Sequence, residues 1–196
     1  MIKNLDLFKR YLKASGAVEI ARRLFVMNAF DGTLTIMGVV IGAHLSGVMD
    51  PKVVITAGVG GSVAMGISGM TGAYMAERAE RMRDLKKLQL AMLIDLQSTQ
   101  VAEASRLASL VVAVVDGISP AACAAVLISP FLLVPPLSLD TAFYISLAAG
   151  LAILFLLGIF LARISEEQAV RSGLRMLVVG LVTILVVSLM VSPAQI

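Results

Sequence analysis

The chain has 196 residues, of which 59% are apolar and 15% charged, and carries a net charge of +3, with a mean hydropathy of +0.95. A soluble domain of this length cannot bury so much apolar surface, so the excess must face lipid. The basic balance does not point to nucleic acid, because Lys and Arg flank hydrophobic stretches instead of forming a folded basic patch.

Residues 1–23 are charged and amphipathic, with neither the apolar core nor the small-residue cleavage site of a signal peptide. They predict a helix on the membrane surface, with Leu5, Phe8, Tyr11 and Leu12 on one side and Lys3, Lys9, Arg10 and Lys13 elsewhere. Five spans follow, at about 24–47, 52–75, 107–134, 141–162 and 173–193, each near the roughly 20 helical residues a hydrocarbon core needs. The reading is an all-α multi-pass membrane protein with a single membrane domain. It comprises a hairpin over 24–75, a cytoplasmic helical segment over 76–106, and three further spans over 107–193. Of 16 basic residues, all but Lys52 fall on one side of this arrangement, which makes that side cytoplasmic, with the N-terminus in and the C-terminus out.

Span one carries a carboxylate, Asp31, followed by Gly32, Gly38 and Gly42. An acid within a membrane span costs a few kcal/mol at least on insertion scales, so it marks a functional site by default. Span two is glycine-rich, and small residues at four-residue spacing, such as Ala57/Gly61, Ser62/Gly66 and Ser68/Gly72, let helix backbones approach closely. Gly38, Gly42, Gly61, Gly66 and Gly72 are therefore expected at helix contacts. Close packing, and any subunit contact, is expected of the first two spans, while span five has the leucine and valine bulk of a lipid-facing helix.

The segment 76–106 lacks glycine and proline and predicts helix throughout, its first part continuing span two. Glu77, Glu80 and Asp84 recur at i, i+3, i+7 and share a helical face, with Arg81 four residues after Glu77 and Lys87 three after Asp84. Two readings stay open: a solvated face of ion pairs, or an acidic ladder that gathers cations at a pathway mouth. Span three holds a second acid in Val115-Asp116-Gly117-Ile118-Ser119-Pro120. Proline removes a backbone donor and clashes with the carbonyl four residues back, here that of Asp116, so a helix broken beside a carboxylate is expected, as membrane proteins build cation sites, and Asp116 joins Asp31 as a candidate transmembrane metal and proton site. Asp31-Gly32 thus recurs as Asp116-Gly117 in spans of the same direction, suggesting a parallel duplication of a two-helix unit plus a fifth helix. Cys123 permits no disulfide within the chain and has the surroundings of a packing residue. The one histidine, His44, lies near the outer end of span one without companion ligands.

At Phe30-Asp31-Gly32, at the glycine-rich stretch from Ala57 to Tyr74, and at Arg171-Ser172-Gly173-Leu174-Arg175-Met176, the chain resembles the vacuolar iron transporter family. The resemblance implies a homodimer of five-helix subunits. It further implies exchange of divalent iron or manganese for protons along a path at the dimer interface, with metal captured by a cytosolic domain between spans two and three. Carried onto this chain, it implies that Asp31 is the intramembrane metal and proton site, that Met70 is a soft ligand in the same path, and that Glu77, Glu80 and Asp84 remain of the capture site. Two departures stand out. Ala73 occupies the place where the family usually has glutamate before Tyr74, and residues 76–106 are shorter and poorer in glutamate than the family's domain.

The chemistry suits such ions. Carboxylates bind iron and manganese, a thioether adds softness, and eight of the 11 methionines lie between Met27 and Met92. A carboxylate withdrawn from water holds its proton until a cation replaces it, so metal binding and proton release are coupled. No P-loop, dinucleotide fingerprint, nucleophile elbow or zinc-type spacing is present, so no enzyme is expected. The expectation is a proton-coupled exporter of Fe²⁺ or Mn²⁺, in a plasma membrane more readily than a vacuolar one. Metal is its substrate, with no permanently bound cofactor, and lipid and a second copy are its partners. The alternative is a membrane-embedded structural or interaction protein in which Asp31 and Asp116 are polar packing contacts between helices.

Overall fold

The computed structural model describes residues 15–47, 50–96 and 99–191. They form five helices: α1 (Ala17–Leu45), α2 (Pro51–Met92), α3 (Gln100–Leu132), α4 (Leu139–Ser165) and α5 (Ala169–Val191). All five are long and apolar enough to cross a membrane. Residues 1–14, which carry most of the expected surface helix, lie outside the described residues, and 17–23 open α1 itself.

Local chemistry sets the ends. Gly16 (φ 66°) and Gly47 (φ 70°) bracket α1 in the left-handed region that glycine enters without strain. Asp50 caps α2, its Oδ1 accepting from Lys52 N at 2.9 Å, and Pro51 occupies the first helical position, where no donor is needed. Ser138 caps α4 by accepting from Thr141 N at 3.3 Å. The far end of α4 closes on Glu166 in the left-handed region (φ 56°), with Glu167 N donating to Ala162 O at 3.0 Å.

With 42 residues, α2 runs about 63 Å at 1.5 Å per residue, twice a hydrocarbon core, so it continues well past its apolar stretch. Helix does not persist through 76–106, however. It stops at Met92, Leu93 turns left-handed (φ 54°), and α3 begins only at Gln100. Thr99 marks the restart: its hydroxyl bonds Leu96 O at 2.6 Å, and its own carbonyl accepts from Ala102 N at 3.1 Å. Short polar side chains compete locally for the backbone in this way and end helices without glycine or proline.

A second correction concerns Pro120. α3 runs unbroken through Pro120 and Pro130, so no stretch of opened backbone lies beside Asp116.

The contacts divide into two compact units. One gathers the start of α1, α2 from Gly66 onward and α3 to Ile118. Its core is small: Ala17 and Ala21 of α1 meet Ala108 and Val112 of α3, and Leu85, Leu96 and Ala102 pack around the α2–α3 connection. The other unit holds the remainder, including α4 and α5, around Ile36, Met37 and Val40 of α1, Leu127 and Phe131 of α3, and Leu154 of α4. Close backbone approach here is not confined to the first two spans. A Cβ on Gly158 of α4 would fall 2.7 Å from Gly173 Cα of α5, and one on Gly180 would fall 2.6 Å from a Leu154 methyl. Span five is therefore held by glycine on one face while its leucines and valines stay exposed.

Candidate functional site

Asp31 is the central residue of α1, 14 residues from either end (17 to 31 and 31 to 45). Its neighbours Gly32 and Thr33 turn inward. A Cβ on Gly32 would lie 2.7 Å from Pro120 Cα, and Thr33 Oγ1 donates to Ala29 O at 2.7 Å. Asp31 points the other way. It is exposed on the outer face of an apolar helix, not buried within the chain, and no hydrogen bond or ion pair to its carboxylate is found among the described residues. The cause is helical geometry: a 100° step per residue places Asp31 outward once Gly32 and Thr33 face the core. Outward with it, at spacings of four, three and four, come Thr35, Gly38 and Gly42, and a Cβ on either glycine would meet nothing within 4 Å.

Asp116 is likewise the central residue of its helix, 16 residues from each end of α3 (100 to 116 and 116 to 132), but it is 3% exposed. Its neighbour Gly117 is locked against α2: a Cβ there would fall 2.7 Å from Gly66 O and 2.9 Å from Met70 Cβ. Met70 thus packs beside the Asp116-Gly117 step and remains 39% exposed. Of the glycines expected at helix contacts, Gly66 makes one within the chain, whereas Gly38, Gly42, Gly61 and Gly72 face open space.

The acidic row at the charged end of α2 is divided. Glu77 pairs with Arg81 at 2.7 Å, both side chains being little exposed (14% and 12%). Arg81 in turn donates from both terminal nitrogens to Ser15 O at 3.2 Å, so this pair anchors the chain just before α1. Glu80 lies 3.6 Å from Arg83 and Asp84 3.4 Å from Lys87, in exposed pairs that hold little energy and leave their carboxylates accessible. Among the described residues, no three His, Cys, Asp or Glu side chains converge as a metal site would require. His44 stacks on Phe143 with ring centres 4.0 Å apart, and Cys123 packs with Ala29 and Leu157, which gives each a structural setting.

Sequence reasoning missed the α4–α5 seam and the outward direction of Asp31. The first was signalled by Gly173/Gly180, a spacing of seven that keeps small residues on one face of α5.

Comparison with known proteins gives the assignment. The sequence profile of the VIT family matches residues 22–91 and 79–192, two stretches that overlap in the charged part of α2. An uncharacterised protein of the archaeon Methanocaldococcus jannaschii is 34% identical over 179 residues, covering 90% of this chain and 91% of that one. The five apolar helices, the carboxylate at the centre of α1 and these matches together show that the chain belongs to the VIT family, whose members carry metal ions across membranes and are not enzymes.

Proposed function

We propose that this protein is a proton-coupled exporter of divalent metal, iron or manganese, that works as a homodimer with its charged end in the cytoplasm of a cell bounded by the plasma membrane. The observation that carries the reading is the placement of Asp31. A carboxylate midway along an apolar helix, outward and unpaired among the described residues, is too costly to leave against lipid. A second copy facing it would supply both shelter and the missing ligands. The same face offers Gly38 and Gly42, and α2 presents Ala57, Gly61, Ala64, Ser68 and Gly72 outward or open at spacings of four, three, four and four. Small residues at such spacing are what helices in lipid use to associate.

In this reading Asp31 holds a proton or a metal ion, one displacing the other, and Met70 adds a soft ligand that favours iron and manganese over calcium and magnesium. Glu80 and Asp84 offer accessible carboxylates at the entrance. Glu77 is engaged by Arg81, so in this reading it serves the fold before it serves the metal. The recurrence of an acid and a glycine at the middle of α1 and of α3 supports a duplicated origin for the first four spans. The burial of Asp116 favours the packing role for that residue, as polar glue where α2 and α3 cross at Gly66 and Gly117.

The test is flux into proteoliposomes holding a metal-sensitive dye, with a pH gradient imposed and Fe²⁺, Mn²⁺, Co²⁺, Zn²⁺ or Ca²⁺ added in turn. Gradient-driven entry of iron or manganese, absent in Asp31→Asn, is the expected result. Wild-type flux from Asp31→Asn, or no flux of any ion from folded protein, would overturn the proposal.

A further inference from the structure

Where α2 and α3 change from charged to apolar sequence, three arginines line one cavity of about 30 Å³: Arg78 and Arg81 from α2 and Arg106 from α3, with Ser105 and Ser109 beside them. A neighbouring cavity of about 160 Å³ shares Arg81, Leu85 and Ser105 with it and is also lined by Asp84. Among the described residues only one of the three charges meets a carboxylate, and Arg78 lies over the Tyr74 ring, 5.9 Å from its centre. Glu77 answers Arg81, while no carboxylate pairs with Arg78 or Arg106 among the described residues. Arg81 also keeps a donor in reserve, since its Nε is enclosed and has no hydrogen-bond partner among the described residues. Of the three only Arg81 is enclosed, Arg78 and Arg106 being exposed, and an enclosed guanidinium donor left without an acceptor is costly unless an anion completes it. The serine hydroxyls bond the carbonyls of Val101 and Ser105, and each can turn its proton to an acceptor placed in the cavity.

Such a wall repels metal ions and suits the tetrahedral oxygens of a phosphate, to which arginine binds through paired N–H groups. A third space, about 460 Å³, shares Arg78 and Met82 with the arginine cavity and follows one face of α2 through Thr71, Tyr74, Met75 and Ala79. It leads from the arginines toward the apolar part of the helix. A basic cluster beside an open apolar helix face suits the head and chain of a lipid, and basic pockets between helices at a membrane surface are where anionic head groups bind.

We infer that Arg78, Arg81 and Arg106 form a binding site for the phosphate of an anionic phospholipid, whose acyl chain lies along the Tyr74–Met75 face of α2. The test of this site does not depend on transport.

The full chain, purified in detergent, is examined by native mass spectrometry and thermal melting with phosphatidylglycerol, phosphatidylcholine or inorganic phosphate. Phosphatidylglycerol is expected to remain bound and raise the melting temperature, and phosphatidylcholine to do neither. Removing two of the three arginines, Arg78→Gln with Arg106→Gln, is expected to weaken phosphatidylglycerol binding roughly tenfold or more. The same loss of charge outside the cavity, Arg83→Gln with Lys86→Gln, is expected to leave it within about twofold of wild type, as exposed and screened charges contribute little. Should the double variant not fold, Arg106→Gln alone, at an exposed position, is expected to weaken binding about threefold or more. Equal binding of the two lipids, equal binding by wild type and cavity variant, or a full melting shift from inorganic phosphate alone would each overturn the inference.

Discussion

Asp31-Gly32 and Asp116-Gly117 are the same dipeptide at the midpoint of two apolar helices, yet the fold treats the two acids oppositely. In both, the glycine is the inward contact: Gly32 sits on Pro120, and Gly117 sits on Gly66 and Met70. What differs is the face left to the carboxylate. Asp116 is enclosed within its own chain, whereas Asp31 is turned out of it. In the proposed reading the acid sealed by its own fold is a packing contact. One presented on the surface of a membrane helix serves a partner, a substrate, or both. Sequence identity at two residues thus says where the helices touch, and the neighbouring backbone decides what the acid can do.

The comparison breaks most sharply on function. Asp31→Asn is expected to abolish metal flux with little change in melting temperature, because no hydrogen bond or ion pair among the described residues is lost. Asp116→Asn is expected to retain flux and to lower stability by roughly 1–3 kcal/mol, as for a disturbed buried polar group. Thermal melting and flux on the same preparations check both.

Next in size are substitutions at the two crossings and in the clamp. Gly32→Ala and Gly117→Ala would each drive a methyl against backbone atoms, and losses of about 1–3 kcal/mol or more are expected in either helix. Glu77→Gln leaves the little-exposed Arg81 without its counter-ion, for which roughly 3 kcal/mol is expected. Glu80→Gln at an exposed pair should change stability by less than about 1 kcal/mol. Chemical denaturation in mild detergent ranks these four.

The smallest effect on the isolated chain, and the most telling for assembly, comes from the open face of α1. A Cβ on Gly38 meets nothing within 4 Å, so melting of the monomer is expected to stay within about 0.5 kcal/mol of wild type in Gly38→Leu. Dimer content by light scattering should fall if that face seats a second copy.

The number of helices was legible because each contains an apolar run near the thickness of a bilayer, and those runs stand apart from charged segments. Two interruptions misled. A break was expected at Pro120 and the helix continues, since in an apolar setting neighbouring groups stabilise a proline-containing helix. Continuity was expected across 93–99 and the helix ends, by a left-handed Leu93 and the local bonds of Thr99. Direction was the least legible property. A soluble helix marks its inner face by polarity, but α1 is apolar on nearly every side, and small residues lie both inward (Gly32) and outward (Gly38, Gly42). The ion pairs of Arg81 with Glu77 and of Lys87 with Asp84 follow from their spacing and are found. The reach of Arg81 to Ser15, 66 residues away, has no local signal at all.

The central claim is that Asp31, and not Asp116, exchanges the proton for the metal. The most direct measurement is proton movement across proteoliposomes when Fe²⁺ or Mn²⁺ is added, followed with a pH dye in wild type, Asp31→Asn and Asp116→Asn at matched amounts of folded protein. The account expects metal-driven proton movement in wild type and Asp116→Asn and none in Asp31→Asn. Proton movement that survives Asp31→Asn, or is lost only with Asp116→Asn, would contradict it.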